Sequence, residues 1–175
     1  MIVKIDSFYD VLSLITVLSY VYIIYIGDML LLSGSAVTVF IHYIIKQITY
    51  GWYPPIFKRP DGATNCGIFN TGGVVDYKSG FPSGHVAAIS FIMNSLLLNS
   101  RNSDIFNLFY YNVPAILVAY ARVMKGCHNT IQVIAGYLLG CSVAYFIHPY
   151  KSYIYEYYSK IKQLYSKIKS DYIVD

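Results

Sequence analysis

Residues 8–50 read FYDVLSLITVLSYVYIIYIGDMLLLSGSAVTVFIHYIIKQITY, two long apolar runs at about 8–26 and 30–50 with a short turn between them. A bilayer core of ~30 Å needs ~20 helical residues, with ~17 near the lower limit, and both runs meet that length. Three more apolar stretches follow at about 83–99, 107–122 and 131–148. The last is long enough to span. The two before it are short, so they are expected to extend into their flanks or to stand nearly upright. Pro114, inside the fourth stretch, predicts a kink. The fold class expected is all-α: a multi-pass transmembrane helical bundle of about five spans, filling residues 1–149.

Composition agrees. Of the 175 residues, 56% are hydrophobic and only 13% charged, with a mean hydropathy of +0.47. Soluble domains carry roughly 25% charge, and a chain this short cannot hide so much apolar surface from water. The apolar run beginning near Phe8 is too long for a signal peptide's apolar region and has no clear small-residue cleavage site, so it reads as a retained first span. The net charge of +4 does not form a nucleic-acid patch. Many of the basic residues lie in the tail, as Lys151, Lys160, Lys162, Lys167 and Lys169. There Ile154, Tyr158, Ile161, Tyr165, Ile168 and Tyr172 recur at helical spacing. Residues 150–175 are therefore expected to form an amphipathic helix on the membrane surface, its lysines toward anionic headgroups.

Segment 51–82 breaks the apolar pattern. It holds Pro54, Pro55, Pro60, Gly62, Gly67, Gly72, Gly73 and Gly80 together with charges, and reads as a polar loop outside the membrane. Cys66, Cys127 and Cys141 have no metal-ligand spacing. An approach of Cys66 to Cys127 on one membrane side is the alternative, but the reading adopted for them is of ordinary buried thiols. Small residues in the spans, Ala87, Ala88, Gly136, Gly140 and Ala144, allow close helix approach.

Three polar clusters interrupt the spans: Lys58-Arg59-Pro60 after the second, Pro82-Ser83-Gly84-His85 opening the third, and Arg122 with His128 between the fourth and fifth. Alternation through the bilayer puts all three on one side. Arginine offers a planar fork of donors that matches phosphate oxygens, so two arginines with a nearby lysine make an anion site. Ser83 is a natural N-cap for the third span, where free N–H groups and a partial positive charge favour phosphate. Gly84 has no side chain to block the ligand. Imidazole suits nucleophile and acid roles near neutral pH. His42 and His148 read instead as hydrogen-bonding or interfacial residues.

With these residues in view, the chain resembles the type-2 phosphatidic acid phosphatase superfamily, whose pattern is a lysine, six residues and Arg-Pro; then Pro-Ser-Gly-His; then Arg, five residues, His, three residues and Asp. Arg59-Pro60, Pro82 to His85, and Arg122 with His128 match, and the likeness covers about residues 46–140. The resemblance implies that His128 is a nucleophile forming a phosphohistidine and that His85 is the acid for the leaving group, then the base for water. Arg59, Arg122, Ser83 and the Gly84 N–H would hold the phosphoryl oxygens. It implies no metal or other cofactor.

Two departures stand out. Trp52 occupies the family lysine's place; Lys46, at a helix end facing the site, is the preferred substitute and Lys58 the alternative. Gln132 replaces the aspartate. An i, i+4 pair shares a helix face, so Gln132 is expected to accept a hydrogen bond from His128 and orient it, without supplying negative charge. The stretch HNTIQVIAG is similar to dolichyl-diphosphate phosphatases, which points to a polyprenyl diphosphate. The function expected is a membrane lipid phosphatase or diphosphatase whose partners are its lipid substrate and the bilayer. The alternative is a lipid-phosphate binder of the same fold with impaired turnover. Arg101 and the tail lysines outnumber Lys4, Lys78 and Lys125 on the site side, so the positive-inside rule puts the tail in the cytoplasm. The site then faces a lumen or the exterior, in a membrane of endoplasmic-reticulum type if the source is eukaryotic or viral.

Overall fold

In a computed structural model of the chain, the structure describes residues 7–51, 56–100 and 104–172. Lys4, Trp52, Pro54, Pro55 and Arg101, which entered the reading above, lie outside them. Among the described residues the regular structure is helical, with only isolated bridge pairs between Lys58 and Ser79 and between Thr64 and Val74.

The first span is two helices almost in continuity, α1 (Phe8–Ser13) and α2 (Ile15–Ile26). Ser7 caps α1 in a reciprocal box with Asp10: each side chain accepts from the other residue's backbone N–H. This ties down two N–H groups that a helix start otherwise leaves unpaired. α2 ends at Gly27, whose φ of +64° is cheap only for glycine. Asp28 then caps α3 (Met29–Ile48), its Oδ1 accepting from the Leu31 N–H at 3.0 Å. Three further helices complete the bundle: α4 (Gly84–Asn99), α5 (Ile105–Met124) and α6 (Thr130–Ile147). A 3-10 turn, His148–Tyr150, leads into α7 (Lys151–Tyr172). The tail is thus helical, as its periodicity predicts.

The central element is α4. Val86, Ala87, Ile89, Ser90, Phe91 and Ile92 are all fully buried in a row, and a helix apolar on every side belongs in the middle of a bundle. It packs against α3, α5 and α6 and touches α2. Its fit against α6 depends on glycine: a Cβ on Gly136 would stand 2.5 Å from the Ser83 carbonyl oxygen, and one on Gly140 2.3 Å from that of Ala87. Backbones in contact at this distance gain dispersion along the whole crossing. On the other side Gly34 of α3 receives the Phe91 ring.

Outward faces are apolar. Leu18, Val21, Ile24, Tyr25, Phe40, Phe106, Phe109 and Phe146 are all more than half exposed, a surface that water would not tolerate and lipid would. By length and apolarity Phe8–Ile26, Met29–Ile48 and the stretch beginning at Thr130 can each cross a bilayer. The protein is an all-α membrane bundle. Of the two short stretches, α5 extends into its flanks to 20 residues and continues through Pro114, whereas α4 stays at 16. The reason is at its ends: Pro82 precedes it, and Ser100 leaves it in extended conformation. Being wrapped by other helices, it does not itself have to match the lipid.

The two ends of the bundle differ. At one, Tyr155 of α7 donates to Asp28 at 2.8 Å, Lys151 to Asn99 at 2.6 Å and His148 Nε2 to the Leu98 carbonyl at 3.2 Å. The other end carries the loop after α3, the start of α4 and the α5–α6 turn. Residues 56–82 fold over it around a small core of Ala63, Cys66, Val75 and Cys127. Here one expectation fails: Cys66 and Cys127 are a disulfide, with Cα atoms 5.6 Å apart, rather than separate buried thiols. Periodicity marks a loop residue as buried or exposed, but it cannot tell which distant loop folds back onto it.

Candidate active site

A cavity of about 310 Å³ opens at the loop-covered end of the bundle, lined among others by His42, Lys46, Arg59, Gly84, His85 and His128. Lys46 arrives from the last turn of α3, Gly84 and His85 from the first turn of α4, and His128 from the turn before α6. Helix ends that alternation assigns to one side thus meet in one space.

His128 has one chemically defined state. The Gln132 amide donates from Nε2 to the carbonyls of Ile56 (2.8 Å) and Lys58 (2.7 Å), which fixes its orientation. Its Oε1 must then face His128 Nδ1, 3.0 Å away, so Nδ1 carries the proton. Nε2 is left with its lone pair, and Arg59 Nη1 lies 3.4 Å from it. Burial pushes the imidazole well below its ordinary pKa, and the charges of Arg59, Arg122 and Lys46 push in the same direction. His128 therefore rests as a neutral base with its unprotonated Nε2 at the cavity, facing the Arg59 guanidinium. Gln132 also serves as the N3 partner of Asn129 in the capping box of α6. Gly80 is required beside it, because a Cβ there would fall 2.4 Å from Oε1.

The two arginines are held by the two half-cystines. Arg59 donates to the Cys127 carbonyl at 2.8 Å, and Arg122 to the Cys66 carbonyl at 2.6 Å. Burial lowers the Arg59 guanidinium to about 10, still charged at neutral pH. Arg122 is fully buried and also reaches the Ser13 hydroxyl at 3.5 Å. Asp10 adds a buried ion pair with Lys125, and Asn70 braces it by accepting from Lys125 at 2.8 Å and donating to the Asp10 carbonyl at 3.1 Å. Lys125 is thus neutralised locally, while the guanidinium groups of Arg59 and Arg122 leave the site cationic.

Not every candidate lines the cavity. Lys58 pairs with Asp61 at 3.2 Å on the exposed side of the loop, so of the two lysines only Lys46 faces the site. Ser83 and Arg122 are fully buried beside the lining residues rather than among them. Ser83 takes the N-cap position of α4, but its hydroxyl makes no capping bond. Sequence reasoning missed Asp10, Ser13 and Asn70, which hold the back of the site, and it did not place His42, read as a hydrogen-bonding or interfacial residue, at the cavity that it lines; its place one helical turn before Lys46 was the available signal.

The polar atoms point to a ligand class. Side-chain atoms that are buried and have no hydrogen-bond partner within the protein include Thr16 Oγ1, Tyr20 Oη, His42 Nε2, Arg59 Nε, Ser83 Oγ, His85 Nε2 and Arg122 Nε. Such orphans are rare in folded proteins, and those of Thr16, Tyr20, His42, Arg59 and His85 line one cationic cavity, with Ser83 and Arg122 buried beside it. Among the described residues no cluster of three or more His, Cys, Asp or Glu side chains forms a metal-ligand set. The chemistry on offer is that of an anion receptor with many donors. Phosphate meets it.

Comparison with known protein families matches residues 27–156 to the PAP2 superfamily. Searches of curated proteins and of solved structures return no match. The matched region runs from the start of α3 into α7 and contains every cavity residue contributed by α3, α4 and the two loops, a wider span than the motifs alone cover. Match and geometry agree, and the chain belongs to the PAP2 superfamily, whose members are phosphatases.

Proposed function

We propose that the protein hydrolyses a lipid phosphate or diphosphate through a phosphohistidine on His128. The observation that carries this reading is the fixed tautomer: Gln132 holds the proton on Nδ1, so Nε2 presents its lone pair beside Arg59. In the first step Nε2 attacks phosphorus, the P–O bond to the lipid leaving group breaks, and His85 gives that oxygen its proton. In the second step His85 takes a proton from water, whose oxygen attacks phosphorus as the P–N bond breaks and inorganic phosphate departs. Arg59, Lys46 and the Gly84 N–H stabilise charge on the phosphoryl oxygens. Arg122 and Ser83 support them from just outside the lining.

A lipid substrate is favoured by what adjoins the cavity. An apolar groove of about 700 Å³ runs between α2 and α3, lined by residues such as Ile23, Leu32, Ala36 and Phe40, and it shares Tyr20, Val39 and Ile68 with the phosphate cavity. A chain attached to a bound phosphate can lie there without crossing water. The HNTIQVIAG likeness narrows the chain to a polyprenyl group. The disulfide beside His128 favours an oxidising compartment, which supports the positive-inside reading of a lumenal or extracytoplasmic site and a cytoplasmic α7.

The test is phosphate release from polyprenyl diphosphates, phosphatidate and phosphatidylglycerol phosphate by purified protein. His128→Ala should abolish release, and the wild type, quenched during turnover, should carry acid-labile, base-stable phosphate. Full activity in the variant, or no release by folded wild type on every substrate, refutes the proposal.

A further inference from the structure

His42 is the one imidazole at the cavity for which the mechanism above has no use. Its Nε2 is buried and lacks a hydrogen-bond partner in the protein. The ring lies directly on Gly84, where a Cβ would come within 2.7 Å of both Cε1 and Nε2. Gly84 therefore makes room for His42 as well as exposing its own N–H, and this contact sets the ring at the N-terminal end of α4, next in chain to His85.

Position along α3 defines which part of a substrate His42 would meet. Val39, His42 and Lys46 follow one another on one face at i, i+3 and i+7 spacing, and all three line the cavity. Val39 also lines the apolar groove, which continues along the same helix through Ala36, Ser35 and Leu32. At 1.5 Å per residue, His42 stands ~6 Å toward the groove from Lys46 and ~4.5 Å short of Val39. It thus separates the cationic centre from the apolar track. A lipid whose phosphoryl group sat at His128 and whose chain lay in the groove would have its leaving group on this side.

We propose that His42 is a ligand for the second, lipid-proximal phosphate of a lipid diphosphate, donating from Nε2–H to one of its oxygens while the terminal phosphoryl group sits at His128 and Arg59. The assignment rests on the phosphatase reading for its orientation and deepens it: the site is built for a diphosphate. A monophosphate has no group at this point, since its ester oxygen passes straight into the groove.

Two measurements test it, with His42→Phe to keep a ring without the donor and His42→Gln to restore a donor. If the phenyl ring does not fit against Gly84, as an unliganded melt would reveal, His42→Leu takes its place. The first measurement is kcat/KM on an isoprenyl diphosphate and on its monophosphate. The apolar variant should lose about tenfold on the diphosphate, the size of one hydrogen bond to a charged acceptor, and less than twofold on the monophosphate; His42→Gln should recover most of the loss. Equal losses on both substrates, or none on either, overturn the proposal. The second is thermal stabilisation by methylenediphosphonate and by inorganic phosphate at equal concentration. Wild type should be stabilised more by the diphosphonate, and the apolar variant should lose that excess. An excess that persists in the variant, or is absent in wild type, also overturns it. Wild type that releases no phosphate strikes the phosphatase reading alone, because the binding measurement still decides the role of His42.

Discussion

Replacing Gln132 by glutamate restores the carboxylate of the family pattern, and we expect it to harm this protein. In the structure the amide does two jobs at once: Oε1 accepts from His128 Nδ1 at 3.0 Å, and Nε2 donates to the Ile56 and Lys58 carbonyls at 2.8 and 2.7 Å. A carboxylate keeps the first contact and reverses the second, setting an anion against two carbonyl oxygens. Each buried acceptor left without its donor costs about 1–3 kcal/mol, so the pair is worth about 2–6 kcal/mol. The compensating attraction to an imidazolium is small in the resting protein, because burial and Arg59 keep His128 neutral. For a chain of this size each kcal/mol moves the melting midpoint by about 2–4 °C. Gln132→Glu should therefore melt lower by at least about 4 °C and up to about 24 °C by circular dichroism in a mild detergent, without a gain in kcat. Gln132→Met, which loses the donors but adds no charge, should melt between the two. A glutamate variant as stable as wild type would mean that the amide does not hold residues 56–58, and the tautomer argument built on its orientation would go with it.

Reduction of the Cys66–Cys127 bond, which closes a loop over a sequence separation of 61, should cost up to about 4 kcal/mol by chain entropy; a thiol titration followed by melting and activity checks it, and activity should fall because the same residues' carbonyls hold Arg59 and Arg122. Gly140→Leu should prevent α4 and α6 from closing, since even a Cβ would meet the Ala87 carbonyl at 2.3 Å; loss of a monodisperse folded species in detergent is the readout. The depressed pKa of His128 sets a pH dependence of stability. Its folded value lies below the unfolded one near ~6.5, so the unfolded chain binds the extra proton and stability falls as pH drops below about 6.5, by at most ~1.4 kcal/mol per pH unit for this group. Melting midpoints between pH 7 and 5 should decline less in His128→Gln than in wild type.

How much of this was legible varies by element. The turn at Gly27-Asp28, the helical tail and the capping position of Ser83 follow from local rules of spacing and backbone conformation, and each appears where those rules put it. Gln132 was readable as a partner of His128 because i, i+4 contact is a property of one helix. Its two bonds to the loop were not, because they depend on how residues 56–82 fold back. Asp10 illustrates the same limit: as a capping residue of α1 it is local, but its ion pair with Lys125 joins the first span to the α5–α6 turn. His42 was passed over because a lone histidine in an apolar run carries no sign of which neighbour it faces.

Sequence by itself determined that the chain is a bundle of apolar helices and that its polar clusters share one side, since hydrophobic length and bilayer alternation are one-dimensional constraints. Only the tertiary structure decided which of two lysines faces the cavity, that the half-cystines join, and that His42 stands between the cationic cavity and the apolar groove. Those outcomes depend on the packing of loop against helix end, where distance in sequence says nothing about distance in space.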